Sequence, residues 1–300
     1  MIDAAQLHAS LAARSSVELN ERADDYYSLL VSNSSGAAEI CLHGAQVIQY
    51  TPVGEKPLLW LSTQAVYEQG KAVRGGVPVC WPWFGSHASD RTLPAHGFVR
   101  NRFWQLAQVE EPDKSTTIIT LKTSDDASSM AQWPYRFELS LTVTVGAQLT
   151  VELTMTNTDQ KSWTCGGALH SYFAVGDIGQ TRIDSVMDQT YLDKPDDFAE
   201  KIQKERLDFS GEVDRVYTDF NDDCVISDMA NSRDIIVEKS GSNTTVIWNP
   251  WSKVASTMQD MPDDAYRHFV CVEPANAFTD QIRLAPGETH TLSTRISCHR

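Results

Sequence analysis

A strict alternation of apolar and polar residues runs through the middle of the chain. From Tyr135 to Val145, in YRFELSLTVTV, every odd-numbered position is apolar and every even-numbered position is polar or charged. The same alternation returns in LTVELTMT at 149–156, after the short turn GAQ. Because successive side chains of a strand point to opposite faces, this pattern predicts an antiparallel hairpin with one buried face.

Shorter runs rich in β-branched residues extend the strand pattern along the chain. They lie at 27–33, 116–123, 233–239, 244–248 and 289–296. Helical periodicity is convincing only at 4–14, and the strand–helix alternation of a parallel sheet is missing. The polar segment 193–214 is long for a loop, and it is interpreted either as a functional excursion or as a set of short strands. The sequence therefore predicts one all-β domain over 1–300, a sandwich or a barrel.

The overall charge bears on the kind of partner. The formal net charge is -15 and the isoelectric point is about 4.9. Such a surface repels nucleic acid and anionic membranes, so neither is expected as a partner. No apolar run approaches the ~18 residues of a membrane span, and residues 1–16 lack the features of a signal peptide. The six scattered cysteines form no CxxC pair, which predicts reduced thiols, no metal site and a cytoplasmic location.

The segment KAVRGGVPVCWPWFG at 71–85 places a permanent cation beside a rigid, apolar stretch. Gly75 and Gly76 allow backbone conformations denied to other residues, or the close approach of a ligand. Arg74 has no use in an apolar core, so one interpretation is a pocket that holds an anion beside an aromatic wall. The alternative is a stiff loop that closes the end of the sandwich, with Arg74 on the surface. The aromatic residues that offer flat surfaces to a sugar ring are Trp81, Trp83 and Phe84.

The segment LPAHGFVRNRFW at 93–104 contains a histidine and two arginines, His96, Arg100 and Arg102. The guanidinium of Arg100 offers a planar fork of donors that can join Arg74 in binding a phosphate. The alternative is an exposed strand edge studded with cations, which is common in proteins.

Two strand-like segments each contain one titratable residue. His170 lies in CGGALHSYFAVGDI at 165–178, where it is either a proton donor with a near-neutral pKa or a structural histidine. Glu273 closes the apolar run of HFVCVEPAN at 268–276. Burial would raise the pKa of Glu273 into the range useful for general acid–base chemistry, whereas a strand that ends at Val272 would leave its carboxylate solvated.

Six of these blocks occur in the order found in one family of sugar enzymes. They are VRGGVPVCWPWFG, PAHGFVRN, LHSYFAVGDI, GEVDRVY, WNPW and FVCVEPAN. From about residue 25 to the C-terminus, the chain resembles the hexose-6-phosphate mutarotases, also called glucose-6-phosphate 1-epimerases, of the galactose mutarotase-like superfamily. The resemblance implies an antiparallel β-supersandwich with the sugar site on its concave face. Residues 1 to about 24 then form a partly helical N-terminal extension.

The resemblance also implies an activity and a set of site residues. The enzyme would be a monomeric isomerase that interconverts the α and β anomers of a hexose 6-phosphate, first of all glucose 6-phosphate, without a cofactor. The catalytic histidine falls on His170 and the catalytic glutamate on Glu273. The substrate contacts fall on Arg74 and Arg100 for the phosphate, Asp214 for the sugar hydroxyls and His96 for a further pocket position. Ala95 departs from the glutamine that relatives often carry, so one polar contact is absent or replaced.

Three other functions remain open on the residues alone. A non-catalytic carbohydrate-binding protein could use the same aromatic wall. A glycosidase needs two carboxylates, and Asp214 with Glu273 is the pair available. A cupin-like metal enzyme would need ligands such as His43, His87 and His96, whose spacing matches no ligand pattern.

Overall fold

The chain is described by a computed structural model that covers residues 4–300. Three short α-helices occur in this range, α1 (Ala4–Leu11), α2 (Ala127–Gln132) and α3 (Trp251–Ala255). Single 3-10 turns lie at Val99–Asn101, Ile178–Gln180, Lys194–Asp196, Met229–Asn231, Ala265–His268 and Phe278–Asp280. None of the helices in the described range has the length and apolar character needed to cross a membrane. The predicted helix at 4–14 corresponds to α1, whereas residues 1–3 lie outside the described range.

Strands make up most of the remaining structure. The first are β1 (Val17–Ala23), β2 (Tyr26–Ser32), β3 (Gly36–Cys41), β4 (Val47–Pro52), β5 (Val79–Cys80), β6 (Gln105–Asp113), β7 (Thr116–Ser124), β8 (Phe137–Val145) and β9 (Leu149–Asn157). Next come β10 (Trp163–Cys165), β11 (Gly167–Leu169), β12 (Tyr172–Ala174), β13 (Thr181–Ile183), β14 (Thr190–Asp193), β15 (Ala199–Ile202) and β16 (Leu207–Asp208). The last are β17 (Val213–Tyr217), β18 (Cys224–Asp228), β19 (Arg233–Ser240), β20 (Thr244–Asn249), β21 (Phe269–Asn276), β22 (Ile282–Leu284) and β23 (Thr289–His299).

The strands form two large sheets and two small ones. A nine-stranded sheet has the order β16-β13-β18-β19-β23-β9-β8-β7-β6, and an eight-stranded sheet has the order β15-β14-β17-β20-β21-β11-β5, with β12 also paired to β21. The first four strands form a meander, and β10 pairs with β22. The ladders between named strands are antiparallel, as predicted for this all-β chain.

The alternating segments form the predicted hairpin. Strands β8 and β9 pair from Phe137 opposite Asn157 to Val145 opposite Leu149, and their odd-numbered side chains are buried in the core. The five shorter runs correspond to β2, β7, β19, β20 and β23. The polar segment 193–214 contains β15, β16 and the start of β17. It is therefore built of short strands and a 3-10 turn.

Strand β21 shows how the eight-stranded sheet separates a core from a site. Val270 and Val272 belong to the main hydrophobic core, which also includes Leu292 and Ile296 of β23 in the nine-stranded sheet. The side chains of Cys271 and Glu273 alternate with these valines and therefore point to the opposite face. One face of the sheet thus packs against the sandwich core, and the opposite face carries the side chains of Cys271 and Glu273.

Candidate active site

Neighbouring strands of the eight-stranded sheet bring polar residues onto one face. Asp214 on β17 pairs with Trp248 on β20, and Val246 on β20 pairs with Glu273 on β21. Paired residues of adjacent strands share a face, and so do residues two apart on one strand. The register alone therefore puts Asp214, Trp248 and Glu273 on the face turned away from the core.

His170 reaches the same face through the junction of β11 and β12. Ala168 pairs with Ala275 and Tyr172 pairs with Cys271, so continuing this register sets His170 opposite Glu273. Its backbone N–H donates to the carbonyl of Pro78 at 3.0 Å, which holds the junction in place.

A cavity of about 940 Å³ opens on this face. Six sequence-predicted site residues line it: Arg74, His96, Arg100, His170, Asp214 and Glu273. They come from five separate segments of the chain, because His96 and Arg100 share one. A volume of this size is within the range of small-molecule sites. The structure thus brings together all of the residues that the resemblance assigns to the site.

His170 and Glu273 form a close, buried pair. The Nε2 atom of His170 lies 3.3 Å from Oε1 of Glu273, and only 1% of Glu273 is exposed. Burial raises the pKa of Glu273 well above its usual value, and the nearby Asp214 adds to this rise. Burial lowers the pKa of His170 well below its usual value, with His96 and Arg100 adding to the effect. Both shifts favour the same form of the pair, in which one proton is carried by a neutral carboxyl beside a neutral imidazole.

Each member of the pair keeps one polar atom free. Within residues 4–300, neither Nδ1 of His170 nor Oε2 of Glu273 has a hydrogen-bond partner, although both atoms are buried. Buried polar atoms without partners are uncommon, because they forfeit the hydrogen bonds that water would make. Such atoms at a cavity wall are well suited to bind a polar ligand.

Aromatic rings fix the orientation of the His170 imidazole. The ring stacks on Tyr172 with centroids 4.9 Å apart and planes at 13°, and Trp248 stands nearly perpendicular to it with ring centroids 5.9 Å apart. His96 meets it edge-on at 5.6 Å. Burial and the nearby cations lower the pKa of His96 to about 3. The Gly85 N–H donates to Nδ1 of His96, so this neutral ring carries its proton on Nε2.

Arg74 is tied into the site by two partners. Its Nε donates to both carboxylate oxygens of Asp260, at 3.1 and 3.2 Å, and one terminal nitrogen donates to the Tyr172 hydroxyl at 3.0 Å. Since Tyr172 stacks on His170, Arg74 also supports the imidazole indirectly. Sequence inspection did not identify Asp260 or Tyr172 as site residues. Asp260 lies in the acidic loop QDMPDD, where no local signal distinguishes it.

Arg100 differs from Arg74 because its charge is not neutralised. One of its terminal nitrogens donates to the carbonyl oxygen of Ala95 at 2.8 Å. Its Nε is buried, and no partner for it occurs in the described part of the chain. No carboxylate of residues 4–300 forms an ion pair with it. The cavity wall therefore presents an uncompensated cation.

Asp214 is held by a lysine that the sequence analysis did not identify. The Nζ of Lys194 lies 2.6 Å from Oδ2 of Asp214, and Lys194 itself lines the cavity. Burial raises the pKa of Asp214 above its usual value, although the lysine opposes this rise. Lys194 belongs to the polar segment 193–214, so that segment contributes directly to the site.

The predicted aromatic wall is wrong for two of its three residues. Trp81 is fully buried and Trp83 is nearly so. Both side chains belong to the main hydrophobic core and do not line the cavity. Phe84 does line the cavity. The other aromatic lining comes from Trp248, Phe198 and Phe278. Tryptophan buries the largest apolar area of any side chain, which explains why the core takes the two tryptophans.

The glycines of the 71–85 segment approach the protein's own backbone rather than a ligand. A Cβ added to Gly76 would lie 2.1 Å from the carbonyl oxygen of Val47, and the residue has a φ of +64°. The Gly76 N–H donates to the carbonyl of Trp60 at 2.7 Å. Gly75 likewise packs against Trp60 and Leu61. The expected close approach of a ligand at these glycines is therefore replaced by strand packing that positions Arg74.

The three histidines considered as metal ligands do not come together. Nε2 of His43 accepts from the Gly70 N–H at 3.0 Å, and its ring contacts Tyr26. The ring of His87 lies against Trp83. Among the residues described, His96 alone of the three lines the cavity. A cupin-like ligand set is therefore not formed.

The comparisons with known proteins agree with this arrangement. A sequence profile of the family described as aldose 1-epimerase matches residues 27–297. A protein of Escherichia coli K12, provisionally named a glucose-6-phosphate 1-epimerase, is 37% identical over 259 residues, which is 86% of each chain. A protein of Cenchrus ciliaris with the same provisional name is 36% identical and covers 84% of this chain and 78% of its own length.

A solved structure matches the fold over nearly the whole chain. A protein from Salmonella typhimurium, provisionally described as a mutarotase, superposes with a TM-score of 0.89 at 32% identity. The match covers 95% of this chain and 94% of that one. The predicted mutarotase-like sandwich is thereby confirmed.

Proposed function

Since this chain belongs to the aldose 1-epimerase family and is an isomerase of sugar anomers, we propose that its substrate is a hexose 6-phosphate, with glucose 6-phosphate the first candidate. The provisional names of the relatives support this choice of sugar. The observation that carries the proposal is the uncompensated Arg100 in the same cavity as the His170–Glu273 pair.

An anionic substrate needs a local cation on this protein. The net charge of -15 repels a phosphate ester from most of the surface. Arg100 offers donors that no carboxylate of the described residues occupies, and a guanidinium matches the oxygens of a phosphate in geometry. Arg74 keeps its remaining N–H groups for the same phosphate, although Asp260 offsets part of its charge. Asp214 would bind sugar hydroxyls, and His96 would donate from Nε2.

The proposed reaction opens the sugar ring and closes it on the other face. Glu273, as carboxylate, takes the proton of the C1 hydroxyl while the C1–O5 bond breaks. His170, as imidazolium, gives its proton to the ring oxygen. Rotation about C1–C2 exposes the other face of the aldehyde, and the two residues then reverse their roles. No proton is gained or lost over the cycle.

The shared proton of the pair suits this cycle. Ring opening moves the proton from His170 to Glu273 by way of the substrate, so the open-chain sugar faces a neutral pair. Burial favours the neutral pair over the ionised one, because desolvation penalises charge. The ionised pair that starts ring opening is therefore the less stable form, and ring opening returns the pair to its neutral form.

Nuclear magnetic resonance exchange spectroscopy on equilibrated sugars tests the proposed substrate. We expect the protein to enhance the cross-peaks between α- and β-glucose 6-phosphate, with a smaller effect on glucose and galactose. Equal enhancement for free and phosphorylated sugars would contradict the phosphate preference and would leave a general aldose 1-epimerase. Enhancement for none of the three would place the substrate among other aldoses.

Replacing Arg100 tests the phosphate contact. Arg100→Ala is expected to raise KM for glucose 6-phosphate by about 10- to 100-fold, because hydrogen bonds to a charged group contribute about 1.5–3 kcal/mol each. KM for free glucose should change little. The matched control is Arg102→Ala, whose guanidinium pairs with Asp126 instead of lining the cavity. If KM rose equally for both sugars, or equally in both variants, Arg100 would not bind the phosphate.

The pH dependence of kcat tests the shared proton. The pair works with one proton, so activity should fall below the lowered pKa of His170, where a second proton binds, and above the raised pKa of Glu273, where the proton leaves. Between these limits, kcat should be flat. The rate without enzyme is subtracted at each pH. An inflection near the ordinary pKa of histidine would contradict the pairing.

A further inference from the structure

A thiol lies beside the acid–base pair without any part in the proposed reaction. The ligand atoms of His170, Cys271 and Glu273 all lie within 4.8 Å of one another, and all three residues are buried. The register explains the grouping, because Cys271 and Glu273 share one face of β21 and His170 stands opposite Glu273. Within the described residues this is the one group of three His, Cys, Asp or Glu side chains that comes together in this way.

The donor set has a clear chemical preference. An imidazole nitrogen, a thiolate sulfur and a carboxylate oxygen are the ligands that Zn²⁺ takes in proteins. Harder cations such as Mg²⁺ and Ca²⁺ prefer oxygen ligands alone. The partnerless Oε2 atom of Glu273 provides a second, independent indication, because this buried oxygen has no hydrogen bond within residues 4–300 and belongs to a residue that lines the cavity.

We propose that a zinc-like divalent cation binds His170, Cys271 and Glu273 and blocks anomer exchange. The ion would coordinate a nitrogen of His170 and an oxygen of Glu273, the groups that must accept and donate protons. The proposed inhibition rests on the proposed acid–base function of His170 and Glu273, whereas binding of the ion does not. Because His170 and Glu273 line the cavity, water or a sugar hydroxyl could complete the coordination from that side.

The spacing of the three ligand atoms is compatible with one shared ion. Ligand distances of about 2.0–2.3 Å to zinc place neighbouring ligand atoms less than 4.8 Å apart, and these three atoms already lie within that distance of one another. The ion can enter through the cavity, which His170 and Glu273 line. Because the thiol must lose its proton, binding should strengthen as pH rises.

Binding is tested on the metal-free protein without any sugar. Calorimetric titration with zinc chloride should give one site per chain, and Cys271→Ala should weaken it by about 10-fold or more. Titration with Co²⁺ should produce a thiolate-to-cobalt charge-transfer band that Cys271→Ala abolishes. The matched control is Cys224→Ala, since Cys224 is also buried but lies on β18, outside the group formed with His170 and Glu273. Cys271→Ser serves the same purpose if the alanine variant fails to fold.

Inhibition is then measured in the exchange assay. Zinc should inhibit the wild type and Cys224→Ala alike, and the concentration for half inhibition should rise about 10-fold or more in Cys271→Ala, relative to the rate of each protein without metal. Unchanged zinc affinity in Cys271→Ala, or a cobalt band that survives the substitution, would overturn the proposed site. If the metal-free wild type showed no anomer exchange but still bound zinc in the titration, the result would contradict the proposed function and leave the proposed zinc site intact.

Discussion

Glu273→Gln is expected to lower kcat for anomer exchange by about 10²- to 10⁴-fold, the usual contribution of a general acid–base residue. The amide keeps the shape of the side chain but can neither take the C1 proton nor return it. Glu273 is fully buried and its Oε2 has no partner within residues 4–300, so replacing its carboxyl by an amide should not unfold the protein. Burial already favours the neutral carboxyl, which glutamine resembles in polarity.

The measurement is exchange spectroscopy on glucose 6-phosphate with matched concentrations of folded protein. The control is Glu39→Gln, which alters a second buried glutamate, one that lies on β3 and pairs with Arg22 away from the cavity. Glu39→Gln should lose stability and keep kcat, whereas Glu273→Gln should lose kcat and keep stability. A native exchange rate in Glu273→Gln would contradict the assignment of the base.

Asp228→Ala is expected to reduce the free energy of unfolding by about 3–5 kcal/mol, because it leaves a buried guanidinium without its counter-ion. Asp228 is fully buried and pairs with Arg233 at 3.1 Å. Arg233 also donates to the carbonyls of Lys56, Pro57 and Ala174, so this ion pair joins the β18–β19 connection of the nine-stranded sheet to the loop at 56–57 and to β12 of the eight-stranded sheet. Losing the carboxylate weakens that connection as well.

Urea unfolding followed by tryptophan fluorescence measures the change. The control is Glu138→Ala, which breaks the half-exposed cross-strand pair with Lys122 and should cost about 0–1 kcal/mol. A comparable small loss in Asp228→Ala would mean that water compensates the Arg233 guanidinium, and the pair would then not act as a buried connection.

The strands were predictable because their signal is local. In β8 and β9, each side chain follows the two-residue period of a half-buried sheet, and the structure confirms that pairing. The apolar strand β21 was also predicted, although periodicity did not show which of its side chains face the core. Cys271 and Glu273 read as part of the same apolar run as Val270 and Val272.

The candidate site was predictable only in part. Arg74, Arg100, His170 and Glu273 stood out as charged or titratable residues in apolar surroundings, and the cavity contains all of them. Their proposed roles remain predictions. Asp260 and Lys194 escaped notice because each lies in a segment full of similar charges, where contacts across the fold distinguish it.

By itself, the sequence determined the sheet-forming segments, the all-β class and the family, since periodicity and residue blocks are properties of neighbouring positions. Only the tertiary structure decided which residues meet. In the folded chain, Trp81 and Trp83 lie in the core, and Gly75 and Gly76 pack against neighbouring backbone. His170 lies 3.3 Å from Glu273. The physical reason is that such contacts depend on the register and order of strands that are distant in the chain, and burial and pKa follow from those contacts.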